Sequence, residues 1–507
     1  MSETLSILPL SFWVVVAILV GGGVWSFRRM NDGIGLPMLL VLVTTAVWYV
    51  GDVFYNDYAH RHVKLFDTVT LENAWWQVAW FLTVFLVMTP AIHQRLNRRY
   101  LQRSSGVLQL FKQGVAQPEI QKSLNSLFRG CTTVWAILFL VAIVRLKTEV
   151  IFFLFPFLGH NASPWSHGRI GAGLDFLDIF AVYLQLLVAS MFGVVAALAT
   201  DRRVRNYALL LVLLTWPYFI FDRTRNSMLA IIIPGVLSWV FLRLRGGMWK
   251  KVVVLLSVFL VINTWMKFVI ANRGTMNITA AFEQKGLNLA DQKKVHNEGL
   301  NMFEELCWIS TFIDKGTYHV NWGTRYFAEL VNPIPRAIWP GKPLIGIDYS
   351  IARGMSYGSG TDAAGVVATV STGFIGQGVV NFGRVLGPMA AALLMCLWVT
   401  ALARLDLNIH ALGRLPLYSL GIILTFNLGR DITLITIYPF LFGALAVWWL
   451  DRHRPQEVAG RAPAPAAAQS AGRPRPSRRP SSPFARRAAS GGFVKRTNAK
   501  TNAESRN

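Results

Sequence analysis

Long apolar runs recur along this chain, and they leave it few ways to fold. Eleven can be read, near residues 7–27, 33–55, 74–94, 130–148, 174–199, 207–221, 226–243, 251–270, 385–403, 411–429 and 432–450. Several are long enough to cross a bilayer core of about 30 Å. Backbone in lipid must satisfy its own hydrogen bonds, so such runs become helices. The 507 residues are 53% hydrophobic and only 15% charged, where a soluble domain carries about 25% charged residues. This balance excludes a soluble enzyme, a disordered scaffold and a small disulfide-stapled module. The predicted fold is an all-α polytopic membrane protein with about 11 (10–12) transmembrane helices. Helices 1–8 fall in residues 1–270, a long outer segment in 271–384, and helices 9–11 in 385–450.

The net charge is +24, and its placement carries the information. Residues 451–507 hold thirteen Lys/Arg against three acidic residues. This Pro/Ala/Ser/Arg tail has almost no core formers and reads as a disordered cytoplasmic extension. Among the spans, every second connection is basic: Arg28-Arg29, the Arg95–Arg129 loop, Arg202-Arg203 with Arg205, the Arg243–Lys251 turn, then Arg404 and Arg414. That alternation predicts an outside N-terminus and a cytoplasmic C-terminus. Nucleic acid is therefore a poor partner for this charge. Met1–Ser6 carries no basic residue, so the first run is expected to stay as a membrane helix. Cys131, Cys307 and Cys396 are too scattered for a metal or disulfide framework.

The long segment has two halves. Helical spacing marks Ile278–Lys315 through Phe303, Leu306 and Ile309, whereas the Gly- and Pro-rich remainder reads as loop. Arginines off the cytoplasmic face are costly and so informative. Six are candidates: Arg169, Arg223, Arg225, Arg273, Arg336 and Arg430. Their forked donors suit an anion, phosphate above all; pairing with neighbours such as Asp222 and Asp431 is the structural alternative. Asp52, Asp57 and Asp67, with His60 and His62, match no sharp metal-ligand motif, and the two histidines read as surface residues. Gly21-Gly22-Gly23, inside the first run, reads as a site of close helix packing. No nucleotide loop opens a helix, and no cofactor is called for.

GTRYFAELVNPIPRAIWPGKP, from Gly323 to Pro343, resembles the bacterial oligosaccharide repeat-unit polymerases, the O-antigen polymerase-like family. TGFIGQGVVNFGRVLG (Thr372–Gly387), FDRTRNSML and NLGRDITL look like further segments of that family, although Gln377 stands where it often carries an acid. The resemblance covers roughly 207–450. It implies a C-type membrane glycosyltransferase fold in the bacterial inner membrane with its active face periplasmic. Its substrates would be undecaprenyl-diphosphate-linked oligosaccharides, polymerised into surface or exopolysaccharide, and a chain-length regulator is a further partner it suggests. O-antigen ligases share the layout, and a lipid-linked glycan flippase would bind the same diphosphate.

The residues fit that chemistry. A diphosphate leaving group already activates the donor, so the protein must stabilise its developing charge. Arg225, Arg273, Arg336 and Arg430 are the first candidates, with Arg223 and Arg169 behind them. Base candidates are His296, Glu298, Glu304, Glu305 and Asp362, all in the long segment. Trp322 and Trp339 are expected to stack on sugar or to anchor the segment at the interface. No metal is called for.

Overall fold

The computed structural model describes residues 7–98, 118–146, 149–158, 164, 175–221, 225–244, 246–271, 301–331, 334, 338–343, 346–354, 370–406, 414–431 and 434–452. These lie in one unit, Met1–His453. Among them every regular element is helical.

A helix stands at each of the eleven expected positions. They are α1 (Leu10–Arg28), α2 (Gly35–Tyr55), α3 (Thr68–Asn97), α4 (Pro118–Leu146), α5 (Asp175–Leu198), α6 (Arg202–Ile220), α7 (Arg225–Leu242), α8 (Met248–Ala271), α12 (Gly373–Asp406), α13 (Arg414–Leu428) and α14 (Leu434–Arg452). Between α8 and α12 lie α9 (Met302–Asp314), α10 (Thr324–Val331) and α11 (Ile347–Ala352). Among the described residues, five helices are long and apolar enough to cross a membrane: α1, α2, α3, the 124–146 part of α4, and α12. Shorter apolar stretches lie in α5, α7 and α14. The chain is thus a helical, multi-pass membrane protein. Its outer surface agrees, since Leu10, Val20 and Phe27 on α1 and Val87 on α3 are exposed, as lipid-facing residues are.

Two features differ from the sequence reading. The first is α12. Residues 373–381, expected as loop, are helical and buried. At Gly383 the backbone takes φ 77° and ψ −176°, a conformation open to glycine, which breaks α12 into two limbs. The limbs fold back on each other, and Gly378 and Gly387 meet with no room for a Cβ on either. The first limb is therefore a short helix inserted into the core, and the second, 384–406, is the expected ninth span. Glycines concentrated at a loop-like composition serve close packing here.

The second is the long segment. Its helix α9 forms where the spacing predicts, with Phe303, Leu306 and Ile309 all buried. It packs on α3 and α12 and shares one hydrophobic core with the spans. Phe303 stacks on Trp75 of α3 at 4.1 Å, and Phe374 of the inserted limb meets Phe81 of α3 at 4.7 Å. Of the three glycines in α1, only Gly22 sits tight, where an added Cβ would press on Leu86 and Leu42; Gly21 faces open space.

Candidate functional site

The ends of α2, α9, α10, α11 and α12 meet with the turn after α13, and polar groups concentrate there. A bilayer core excludes such groups unless they are paired.

The first cluster surrounds the start of α9. Helix N-termini leave backbone N–H groups without partners. Here Asp52, fully buried in α2, supplies the acceptor: its Oδ2 takes the N–H groups of Phe303 and Glu304, each at 2.9 Å. Asn56 donates to Asp52 Oδ1 at 2.6 Å. His62 is also fully buried, stacked near Tyr58 and Phe303, with its Nε2 3.7 Å from Asp52. His60 alone is exposed, so the surface reading holds for one histidine of the two.

Glu304 and Glu305 follow on the same turn. The Arg61 guanidinium grips Glu304 with two bonds, 2.6 and 3.1 Å, while Arg353 grips Glu305 with 3.0 and 3.1 Å. Tyr349 donates to Glu305 at 2.5 Å, and Arg353 also lies over the Trp308 ring at 4.6 Å. Burial opposes ionisation of Glu304, but the Arg61 fork outweighs it and holds the carboxyl below its ordinary range. For Glu305 burial wins over Arg353 and Tyr349, and its carboxyl is pushed up. Both side chains are 2% exposed and all four oxygens are engaged. Two of the expected base candidates thus brace α9 between the first outer loop and α11.

The second cluster lies around α10. Arg325 is 5% exposed, and its Nη2 is 4.0 Å from Asp431 Oδ1. Asp431 Oδ1 already accepts the Thr372 N–H and hydroxyl at 3.2 Å each. Arg430 turns away from its neighbour Asp431 and donates from Nε to Ser371 Oγ at 2.8 Å. Local acid pairing, expected as the alternative for Arg430, is therefore not its contact. The Tyr326 N–H reaches Asn381 at 3.4 Å, and the Asn321 N–H bonds the Val380 carbonyl at 3.1 Å. Tyr318 and Asn321 both donate to Asp348 of α11, at 2.5 and 2.9 Å. Tyr49 sits in a π-helical turn of α2, and its hydroxyl accepts the Ile375 N–H at 3.1 Å. π-turns recur at functional sites because they re-aim side chains. Three segments far apart in sequence, 321–331, 371–381 and 429–431, thus close on one another.

The remaining candidates divide. Trp322 is 75% exposed at positive φ, and Trp339 packs edge-on to Phe327 at 6.2 Å. Lys342, buried, bonds the Ile334 carbonyl at 2.8 Å and braces the Pro-rich loop. Arg225 opens α7, with its side chain outside the described residues. Arg169, Arg223, Arg273, Arg336, His296, Glu298 and Asp362 also lie outside them. Sequence reasoning missed Arg325, Arg61 and Arg353, and weighed Asp52 only as a metal ligand. Only Arg325 left a signal, a charged residue four positions before Glu329 on an otherwise apolar short helix. Among the described residues no group of His, Cys, Asp and Glu is arranged to hold a metal.

No known protein family, curated protein or solved structure matches the chain.

Proposed function

We propose that the chain polymerises undecaprenyl-diphosphate-linked oligosaccharide repeat units at the periplasmic face of a bacterial inner membrane, as a metal-independent glycosyltransferase of the C type. One observation carries the reading. Three of the four segments that resemble repeat-unit polymerases, separated by tens of residues, converge around Arg325, Thr372 and Asp431. A shared site is the simplest reason for distant motifs to meet.

The reaction forms a bond between an acceptor sugar oxygen and the anomeric carbon of the donor glycan. It breaks the bond from that carbon to the carrier diphosphate, which leaves with the electron pair. The acceptor hydroxyl proton passes to a base or to the departing diphosphate. Arginines at the site would stabilise the charge that develops on the leaving group. With eleven spans, the charge alternation of the sequence puts the site on the outer face, and a chain-length regulator fits the polymerase reading.

The test is glycan transfer. Purified protein in nanodiscs receives a lipid-linked repeat unit and no nucleotide. A ladder of products is the expected result. A single transferred block would make the enzyme a ligase. Vesicle transport of the lipid-linked unit without any transfer would overturn the enzyme reading in favour of a flippase.

A further inference from the structure

Arg325 has donors that its surroundings leave unbonded. Its Nε and Nη1 are buried and bonded to nothing among the described residues, and the neighbouring Tyr326 hydroxyl is equally buried and without a partner. Asp431 is the nearest acid, at 4.0 Å from Nη2, and its Oδ1 is shared with Thr372. Glu329 lies four residues along the same buried face of α10, and no ion pair joins it to Arg325. A guanidinium cannot shed its proton to escape burial. Unmade bonds of a buried cation are costly, so such a group calls for a compensating anion.

The neighbourhood is shaped to give it one. Gly346 takes φ 63°, and a Cβ there would come within 3.3 Å of Arg325 Nη2 and 3.4 Å of its Cζ. Glycine at this position keeps the guanidinium free of side-chain crowding. The Tyr326 hydroxyl is held protonated, since burial pushes its pKa up and outweighs the opposing effect of Arg325. It is therefore a donor. Phe327 and Leu330 of α10 are 47% and 65% exposed. One short helix thus buries the Arg325 guanidinium and the Tyr326 hydroxyl and exposes two apolar side chains.

We propose that Arg325 and Tyr326 form the binding site for a phosphate or diphosphate ester. A phosphate has enough acceptor oxygens to take donors from two edges of the guanidinium and from the phenol together. Its charge outweighs the single carboxylate of Asp431. The anion site stands on this geometry, and its link to a glycan carrier rests on the polymerase reading above.

Full-length protein in phosphatidylcholine nanodiscs is titrated with farnesyl diphosphate and, separately, with inorganic diphosphate. Charge-assisted bonds of this kind predict that Arg325→Gln weakens binding about tenfold to a hundredfold. Tyr326→Phe should weaken it several-fold, and Asp431→Asn should tighten it by removing a like charge. Prenyl diphosphate bound well above inorganic diphosphate identifies a lipid headgroup as ligand; equal binding of both identifies free phosphate compounds. Wild-type affinity in Arg325→Gln, or no binding of either probe, overturns the site. Should Arg325→Gln fail to fold, the other two variants decide: unchanged affinity in both overturns it. Arg325-dependent binding without glycan transfer sinks the polymerase reading alone, and transfer without such binding sinks the anion site alone.

Discussion

Glu304 and Glu305 are adjacent, both buried and each gripped by an arginine, yet their carboxyls move in opposite directions. Glu304 has a close fork from Arg61 and a second arginine, Arg353, at 3.8 Å. Glu305 lies deeper, with Tyr349 and Arg353 as its donors. For Glu304 the folded-state pKa is depressed, so its stabilising effect is present above the unfolded carboxylate value of about 4.3. That effect is lost as pH falls through the lower folded value. Glu305, with a raised value, contributes the opposite sign and cannot cause acid unfolding. Glu304→Gln leaves Arg61 short of an anion, and because Arg61 is 29% exposed the cost falls below about 3–5 kcal/mol, the figure for a fully buried pair. Thermal melts of this variant from pH 3 to 8 should show a lower midpoint at neutral pH and a flatter decline in acid. An unchanged acid limb would show that Glu304 does not set it.

Two elements show how a membrane chain reverses soluble rules. Helix α10 buries Arg325 and Glu329 and exposes Phe327 and Leu330. In water that arrangement would cost both hydrophobic and desolvation energy. Lipid against Phe327 and Leu330 removes the hydrophobic part of that cost, which predicts that this face lies at the membrane surface beside Trp322 and Ile338, which are also exposed. The three native cysteines are buried, which permits selective labelling. A nitroxide at Phe327→Cys or Leu330→Cys should collide with oxygen and be shielded from a water-soluble nickel chelate. Free access of the chelate would place the face in water. The hairpin of α12 is the second case: Gly383 supplies the turn, and Gly378 against Gly387 supplies the close approach. Small residues let helix backbones meet where lipid offers no hydrophobic drive.

At the scale of the whole molecule, the polar clusters lie at the ends of α9–α12, and the sequence puts the basic residues in every second connection. The charge alternation then predicts a sidedness. Trp322→Cys should react with an impermeant maleimide on intact spheroplasts, whereas Arg98→Cys should react only after lysis. The reverse pattern would put the clusters on the cytoplasmic side and remove a periplasmic carrier from consideration. Helix positions, the basic connections and the core face of α9 were legible in the sequence because each is local: hydrophobic length and period 3.6 are written in neighbouring residues. The polar architecture is not local. Arg61 and Glu304 stand 243 residues apart, and Asp52 caps a helix 251 residues away. Among carboxylates and arginines, no pattern of spacing marks which will meet. The sequence by itself determined a helical membrane protein and where its helices run. Only the tertiary structure decided that Glu304 and Glu305 are each bound by an arginine, that a Gly-rich stretch is a helical hairpin with its first limb in the core, and that Arg325 sits inside with donors unbonded, because burial and pairing are properties of the packed core.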